Sequence, residues 1–446
     1  MKSVSHRKSF EETLKIVLEE RANVVARQTG CVQHQVKFSG ADLLQTLVFG
    51  WMQHPDISLE GLASMAQVRA VTVTDTAVHK RFTPQGAAFL HAMLEELASV
   101  VVMADEDVPV KLVRRFRAVI FEDSSTIALP DVLAELWRGC GGNQAHTASA
   151  VKLHTRWDLK RGRLWGPALT DGRTSDQHSP LAQEAVPPRS LYCSDLGYFN
   201  LERLAGRHSA KVYSLTRLRA GTALFTPQGQ RLRLKAVLPP KVGQMKELHV
   251  GVGARQRIPM RLLMLRVPKA IGDKRRADLL ADAQRRQQTV TEETLRLADW
   301  TILITDVPAR QLSFEEALVL LRERWQMELL YKLWKQHAKV DEWRTANPWR
   351  MLCELYAKLI GVLLQHWLMV RLAWQDAQRS LVKLAQVLRD TAWTIMEALA
   401  GQRSMSSALQ LIKRRMGSGC QMNQRKTHPN SAQLLEQQTV EWALGG

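Results

Sequence analysis

A stripe of charged residues runs along what the sequence predicts to be the packing face of a helix. A capping box starts this helix at Ser313, and neither Gly nor Pro follows until Pro348, so we predict one continuous helix between them. At about 100° per residue, Arg324, Glu328 and Lys335 fall on one side of it. A packing face is normally apolar, so these charges need a reason.

Aromatic residues lie beside the charges, and two interpretations follow. An ordinary amphipathic helix would carry a solvated network of Arg, Glu and Lys side chains. A Glu between Arg and Lys, with aromatic rings around it, also suits a buried acid with phosphate clamps and stacking surfaces, and we favour this second interpretation. The aromatic residues are Trp325, Tyr331 and Trp334.

The chain carries a large excess of positive charge. Its 62 Lys and Arg outnumber its 43 Asp and Glu, giving a net charge of +19 that is spread along all 446 residues. This balance favours a polyanionic partner, most plausibly nucleic acid. A chain of this length can form two or three cores, and hydrophobic and charged fractions of 45% and 24% are typical of globular proteins, so we expect a folded protein.

Several classes of protein are disfavoured by what the sequence lacks. The longest apolar run, 359–370, contains Gln365 and His366 and is too short to span a bilayer, so we expect no membrane partner. The basic first residues lead into Phe10-Glu11-Glu12 rather than an apolar segment, so we expect a cytoplasmic protein. The five cysteines show no paired spacing, and no Gly-rich phosphate loop occurs, so we expect neither zinc nor a nucleotide cofactor.

The first hundred residues are predicted to be helical, with helices at 10–27, 41–51, 58–66 and 82–103. The segment from Thr74 to Phe82 begins with cap-type residues and contains His79, Lys80 and Arg81. These three residues could belong to a DNA-recognition helix. A capped helix with ordinary basic residues remains the alternative.

Two predicted strands end in an aspartate. An extended run over 113–121 stops at Glu122-Asp123, and the short run 190–193 leads into Ser194-Asp195. Further extended runs at 150–159 and 163–169 suggest a meander, and 300–305 reads as one more strand. An Asp at a strand end is often a turn former, but two such acids and a helical Glu together suit a two-metal phosphoryl-transfer site.

The chain resembles the cut-and-paste DDE transposases of bacterial insertion sequences, of the insertion-sequence-4 type with a Tyr-Arg-Glu-Lys signature. Arg324, Glu328 and Lys335 match the signature spacing. Asp123-Ser124-Ser125 and Asp195 with Gly197-Tyr198-Phe199 resemble the family's two Asp blocks. Leu321 stands where the signature has Tyr, and Leu196 stands where many members have Arg.

The resemblance implies an α/β fold with a ribonuclease H-like catalytic core, a β-rich insertion, and helical N-terminal and C-terminal regions. The expected divisions are a DNA-end-binding region at 1–107, the first part of the core at 108–210, the insertion at 211–298, the second part of the core at 299–375, and a helical region with possible dimerisation and a mobile tail at 376–446.

The resemblance also implies a site and partners. Asp123, Asp195 and Glu328 would bind two Mg²⁺ or Mn²⁺ ions, and three basic residues would hold phosphates, namely Arg324, Lys332 and Lys335. Trp300 and Trp325 fall where some members hold a flipped base and cut through a hairpin, although core packing is the alternative for Trp300. The expected partners are double-stranded DNA, as transposon ends and target, and a second copy of the chain in the synaptic complex. A catalytically impaired, transposase-derived DNA-binding protein is the alternative.

Overall fold

The N-terminal part of the protein is helical, as predicted. The computed structural model describes residues 9–33, 37–141, 148–285, 287–424 and 430–437. A π-helical turn at Ile16–Arg21 joins the first two helices without a break. The helices before the first strand are α1 (Phe10–Lys15), α2 (Ala22–Gln28), α3 (Gly40–Gln53), α4 (Leu59–Ala66), α5 (Asp75–His79), α6 (Pro84–Ser99) and α7 (Lys111–Arg114).

A mixed β-sheet forms the centre of the described molecule. Its strands are β1 (Val119–Leu129), β2 (Ser149–Asp158), β3 (Leu164–Asp171), β4 (Leu191–Ser194), β5 (Tyr213–Arg217), β6 (Leu224–Phe225), β7 (Arg231–Leu232), β8 (Met245–Val252), β9 (Ile258–Arg266) and β10 (Trp300–Thr305). Their order is β3-β2-β1-β4-β5-β10-β9-β8-β6-β7. Strands β1, β4 and β5 are parallel, whereas the other neighbouring pairs are antiparallel.

The strands of the expected β-rich insertion belong to this same sheet. Strand β5, which we had assigned to the insertion, pairs with β4 on one side and β10 on the other. The later strands extend the same sheet from β10. Helix α8 (Leu201–Ser209) precedes this region, which itself contains helices α9 (Leu234–Val237), α10 (Lys269–Arg285) and α11 (Glu292–Leu297). Periodicity over one short run cannot show which strand it joins, because pairing depends on distant residues.

The long helix predicted from Ser313 is two helices. The capping box is present, with Ser313 and Glu316 bonded to each other's backbone amides. The first helix, α12 (Phe314–Glu323), ends at a turn, and α13 (Gln326–Ala338) begins after it. Arg324 and Trp325 occupy this turn, so the prediction of one unbroken helix was wrong. Glu328 therefore lies in the first turn of α13.

The remaining described residues are largely helical. They form α14 (Pro348–Ala373), α15 (Leu381–Thr391), α16 (Trp393–Leu399), α17 (Met405–Arg415) and α18 (Ser431–Gln437). Of the tail that we expected to be mobile, 425–429 and 438–446 lie outside the described residues, whereas Ser431–Gln437 is a helix. Short 3₁₀ turns occur at Gln67–Arg69, Asp131–Leu133, Asp176–His178, Pro180–Gln183, Leu196–Tyr198 and Ser418–Cys420.

Helix α14 is the central helix of the main core. By length and composition alone it could cross a membrane, but 89% of its most apolar window is buried inside the molecule, as in the core helix of a soluble protein. It packs against α3 and α6. The N-terminal helices, one face of the sheet and the C-terminal helices share this continuous core.

Side chains alternate between the two faces of the sheet, as strand geometry requires. Phe121 and Cys193 belong to the main core, whereas Ile120 and Tyr192 belong to a small separate cluster on the opposite face. A third cluster covers that opposite face in the half built from β6, β8, β9 and β10. The alternation thus assigns each strand side chain to the main core or to the clusters on the opposite face.

Candidate active site

The two predicted aspartates lie at one edge of the sheet, on neighbouring strands. Phe121 of β1 is level with Cys193 of β4, and Asp123 and Asp195 each follow two residues later. Because Asp195 keeps an extended backbone, both acids lie on the same face as Phe121 and Cys193. Neighbouring strands lie about 4.8 Å apart, so the register brings the two acids together.

One of the two predicted strand ends was correct. Asp195 directly follows β4, as expected. Asp123 does not end β1, which continues to Leu129 because β2 pairs with it along the whole segment from Ile120. The parallel pairing with β4, however, does stop at Glu122. Asp123 is therefore the first residue of β1 beyond the part that pairs with β4.

The third acid reaches this edge from helix α13, through an arginine. Arg324 donates from Nη1 to Oδ2 of Asp123 at 3.2 Å and from Nη2 to Oε1 of Glu328 at 3.5 Å. Its side chain is 17% exposed, against 42% for Glu328. A single guanidinium thus bridges the first and third acids, which are 205 residues apart in the printed sequence.

The carboxylate of Asp123 has a raised pKa. Burial is the largest cause and brings the pKa to about 6, although the Arg324 guanidinium opposes the shift. The amide of Ser124, which donates to Oδ1 of Asp123 at 2.9 Å, also lowers it, whereas Asp195 and Glu328 raise it. The Asp123 carboxylate therefore senses the charges of the other two acids, and its surroundings favour a positive charge beside it.

The residues present suit a hard divalent cation by donor type. Carboxylate oxygens are the ligands that Mg²⁺ and Mn²⁺ prefer, and the mutual repulsion of the acids would be relieved by a cation. In the described part of the chain, however, no three His, Cys, Asp or Glu side chains lie close enough together to hold a metal ion. Arg324 supplies the positive charge between Asp123 and Glu328 instead.

The predicted phosphate-binding lysines lie on α13 with the acid. Lys335 donates from Nζ to the carbonyl of Thr126 in β1 at 2.9 Å. Lys332 lies over the ring of Trp325, with Nζ 5.2 Å from the ring centroid. Trp325 is 48% exposed, which leaves its ring available to a ligand. Trp325 and Lys332 thus lie about one turn from Glu328 along the chain, and Lys335 lies about two turns from it.

The other aromatic residues of this stretch are not exposed stacking surfaces. Tyr331 and Trp334 are 6% and 2% exposed, and their rings pack edge to face with centroids 5.6 Å apart. The expectation that they surround the acid as ligand-stacking rings was therefore wrong. They face the main core because α13 turns this side towards the sheet.

Trp300 begins β10 and is anchored to the protein. Its indole N–H donates to the carbonyl of Pro239 at 2.9 Å, and the Arg266 guanidinium lies 4.9 Å from its ring centroid. The half-buried ring packs against the cluster on the opposite face of the sheet. These contacts agree with the core-packing alternative, and a role in holding a base stays a prediction.

The N-terminal basic residues are only partly helical. Thr74 caps α5, as expected, but the helix has five residues and ends at His79. Lys80 is the C-cap and Arg81 lies beyond it, so the assignment of all three basic residues to one recognition helix was wrong. His79 and Lys80 are exposed, whereas Arg81 stacks over Phe38 with its guanidinium 5.8 Å from the ring centroid.

Three further residues of the site were not predicted as such. Tyr331 donates from its hydroxyl to the backbone carbonyl of Asp123 at 2.8 Å. Asp176 accepts from the Ser124 hydroxyl at 2.6 Å and forms an ion pair with Lys152 at 3.3 Å. Arg217 ends β5, and desolvation lowers the pKa of its guanidinium, a shift that Asp195 opposes and Arg324 adds to. Only Arg217 had a sequence signal, as a charge at the end of a strand parallel to the two Asp-bearing strands.

A sheet that presents acids from two parallel strands, beside a helical Glu and an Arg from the preceding turn, defines a candidate enzyme site for phosphate chemistry. Residues 114–364 match the sequence profile of the family described as the transposase DDE domain. The match covers more than half of the chain, so the chain belongs to the DDE transposases. Membership of this family implies an enzyme of DNA cleavage and transposition.

Relatives of the chain come from several bacteria. The chain is 23% identical over 445 residues to the transposase for insertion sequence element IS231F of Bacillus thuringiensis subsp. israelensis, covering 94% of this chain and 92% of that protein. It is 21% identical over 384 residues to the transposase for IS1151 of Clostridium perfringens, covering 80% and 79%. It is 25% identical over 359 residues to the transposase for IS421 of Escherichia coli, covering 77% and 89%.

Proposed function

We propose that the protein binds the terminal inverted repeats of its own insertion sequence, cuts the DNA at the element ends by two-metal phosphoryl transfer, and joins the ends to target DNA. The observation that carries this proposal is the bridge formed by Arg324 between Asp123 and Glu328, with Asp195 beside them. The proposal includes the insertion-sequence-4 type, a ribonuclease H-like core, a dimeric synaptic complex and a cytoplasmic, nucleoid-associated location. The mixed sheet flanked by helices supports the proposed core.

In the proposed reaction, the three acids bind the metal ions. Asp123, Asp195 and Glu328 would hold the metal ions through their carboxylate oxygens. Bound divalent ions supply a more acidic water or 3′-hydroxyl and stabilise the charge on the leaving 3′-oxygen. The pairing of β4 and β1 would keep the two aspartates in place, because β4 is buried throughout and β1 is buried up to Glu122, the residue before Asp123.

The basic residues would bind the DNA backbone next to the acids. Arg324 can donate two parallel N–H bonds, which matches the geometry of a phosphate as well as that of a carboxylate. Lys332 and Lys335 extend this positive surface along α13 by one and two turns from Glu328. Trp325, exposed beside Lys332, would stack on a base at the cut end, with or without a hairpin intermediate.

The test compares wild type with Glu328→Gln on a linear duplex that carries both ends of the encoding insertion sequence, with Mg²⁺, Mn²⁺ or EDTA. Glutamine keeps the size of the side chain and removes its charge. We expect metal-dependent cuts at the element boundary in wild type alone, with hairpins visible on denaturing gels. Equal cutting by Glu328→Gln would overturn the assignment of the acid.

A second candidate is a DNA-binding protein that has lost cleavage. One observation favours this candidate: among the described residues, no three His, Cys, Asp or Glu side chains lie close enough together to hold a metal ion. Leu321, in place of the signature Tyr, packs against the main core, and Leu196 is 38% exposed beside Asp195. Salt-sensitive binding to the element ends by wild type, without any metal-dependent cut, would support this candidate over the first.

A further inference from the structure

The hydroxyl of Tyr331 links the helix of the third acid to the strand of the first. It donates to the backbone carbonyl of Asp123 at 2.8 Å. The Thr155 hydroxyl lies 2.5 Å from the Tyr331 oxygen. Either hydroxyl could donate in this contact, and when Tyr331 gives its single phenolic proton to the Asp123 carbonyl, Thr155 donates to Tyr331. The result is a chain of hydroxyls from β2 through α13 to β1.

This chain of bonds is held rigidly. Thr155 is directly opposite Asp123 in the β1–β2 register, so both ends of the chain lie in paired strands. Tyr331 is 6% exposed, and Trp334 packs against its ring at a right angle. A phenolic hydroxyl carries its proton at neutral pH, so Tyr331 can donate.

The bond from Tyr331 to the Asp123 carbonyl affects the distance between Asp123 and Glu328. Tyr331 lies three residues after Glu328, and residues three apart are neighbours on a helix surface. The carbonyl that it holds belongs to the same residue as the Asp123 carboxylate. The bond from Lys335 to the Thr126 carbonyl also ties α13 to β1, about two helical turns beyond Glu328 and three residues beyond Asp123 along the strand. Among the described residues, the side-chain link from Glu328 to Asp123 runs through Arg324, by bonds of 3.5 and 3.2 Å. A metal site needs tighter control of its ligands than that bridge supplies.

Building on the proposed function, we propose that Tyr331 is a positioning residue that sets the separation of Asp123 and Glu328 for binding divalent cations. It touches neither the ions nor the DNA. Its hydroxyl orients a metal-ligating residue from outside, as partners of metal ligands do in general. Thr155 completes the arrangement by directing the proton of Tyr331 towards the carbonyl.

The experiment measures metal binding by full-length protein without DNA, so that it does not depend on activity. Mn²⁺ titrations followed by electron paramagnetic resonance would compare wild type, Tyr331→Phe and Tyr356→Phe, with Asp123→Asn to mark the site. Tyr356 is a matched control because its buried hydroxyl accepts one bond, from the Trp137 indole at 3.0 Å, and contacts none of the three acids. Both Phe variants keep the ring and lose one hydroxyl.

We expect Tyr331→Phe to weaken Mn²⁺ binding by about tenfold or more, and Tyr356→Phe to leave it unchanged. Thr155→Val, which keeps the bond from Tyr331 to Asp123, should weaken it by a smaller factor and serves if Tyr331→Phe does not fold. Cleavage by Tyr331→Phe should recover towards the wild-type rate as the metal concentration rises. A merely stabilising hydroxyl would lower the unfolding temperature and leave the metal dependence as in wild type.

The outcomes separate this proposal from the proposed function. Wild-type cleavage with an unchanged Mn²⁺ affinity in both Tyr331→Phe and Thr155→Val overturns the positioning role and leaves the transposase reaction standing. Wild-type protein that binds Mn²⁺ but never cuts the element ends overturns the proposed reaction, while the shift in Tyr331→Phe would still support the positioning role.

Discussion

Arg324 donates to the Asp123 carboxylate at 3.2 Å, just beyond the last residue of β1 that pairs with β4. The guanidinium lies in the turn between α12 and α13, so its position depends on the break between these helices. It places a fixed positive charge where a divalent cation would be held by Asp123 and Glu328. If the proposed metal site forms, Arg324 and the metal ion would compete for the same carboxylate oxygens.

Arg324→Gln should bind Mn²⁺ more tightly and cut DNA more slowly. Removing a cation beside the site lowers the repulsion of the metal, and we expect a gain of about tenfold in affinity, or ~1.4 kcal/mol. The loss of phosphate contacts should lower the rate by about tenfold or more. Mn²⁺ titration and single-turnover cleavage would measure both. Arg285→Gln, which removes a charge from the exposed pair with Asp282, should change neither.

Metal binding should strengthen as the pH rises through about 6. Burial raises the pKa of Asp123 to about 6, and below this pH the carboxyl is protonated and cannot serve as a ligand. The apparent Mn²⁺ affinity should therefore fall by about tenfold per pH unit below 6 and level off above it. Titrations between pH 5 and 8 would measure this. A flat affinity across pH 6 would contradict the assignment.

The same group should affect the stability of the metal-free protein. Folding raises the pKa of Asp123 from its usual 3.8 to about 6, so the protonated carboxyl stabilises the folded state. This contribution to the free energy of unfolding is fully present below pH 3.8. That contribution is lost as the pH rises to about 6. Asp158 and Glu323 have raised pKa values as well, so the comparison must be with Asp123→Asn. Unfolding temperatures of wild type and variant should diverge between pH 4 and 6, with the variant favoured at higher pH.

Trp325 and Trp334 should respond differently to truncation. Trp334→Ala should cost about 3–5 kcal/mol in the free energy of unfolding, because its ring is 2% exposed in the core. Trp325→Ala should cost less than about 1 kcal/mol but weaken binding to a DNA end with an unpaired base by about 1–3 kcal/mol. Urea unfolding and fluorescence of 2-aminopurine at the cut end would test this. If Trp325→Ala binds a DNA end with an unpaired base as tightly as wild type does, the stacking role is refuted.

Lys358 should be essential for stability although it lies away from the acids. Its amino group is 2.7 Å from Glu354 and donates to the carbonyls of Lys339 and Glu342, which follow α13. Lys358→Met should cost about 3–5 kcal/mol in urea unfolding, because Glu354 would remain buried and unpaired. Lys269→Met removes an equally spaced pair on the exposed α10 and should cost less than about 1 kcal/mol. Similar losses in the two variants would argue against a buried pair.

Lys80 should contribute to DNA affinity without sequence preference. It is exposed at the end of α5, whereas Arg81 is engaged with Phe38. Lys80→Ala should reduce the slope of log affinity against log salt by about 0.9 if it contacts one phosphate. Binding to the element ends at several salt concentrations would measure the slope, with Lys269→Met as the control. An unchanged slope would remove this residue from the DNA contacts.

Local signals in the sequence determined several parts of the site. The capping box at Ser313 predicted the start of α12, and the apolar run before Asp195 predicted β4, because caps and short strands depend on residues close in the chain. The spacing of Arg324 and Glu328 predicted that they share one side of a helical segment, and they are in contact. The excess of positive charge is likewise a property of the sequence alone.

The tertiary structure decided which partners these residues meet. Asp123 lies within a strand rather than at its end, because β2 pairs with β1 beyond it. Tyr331 reads as one more aromatic residue near the charges, yet it holds the carbonyl of Asp123, 208 residues away. No local pattern encodes such a contact, since it arises only when sheet pairing and the packing of α13 bring distant segments together. The sequence by itself therefore determined the acids and their helix or strand, and only the fold determined their spacing.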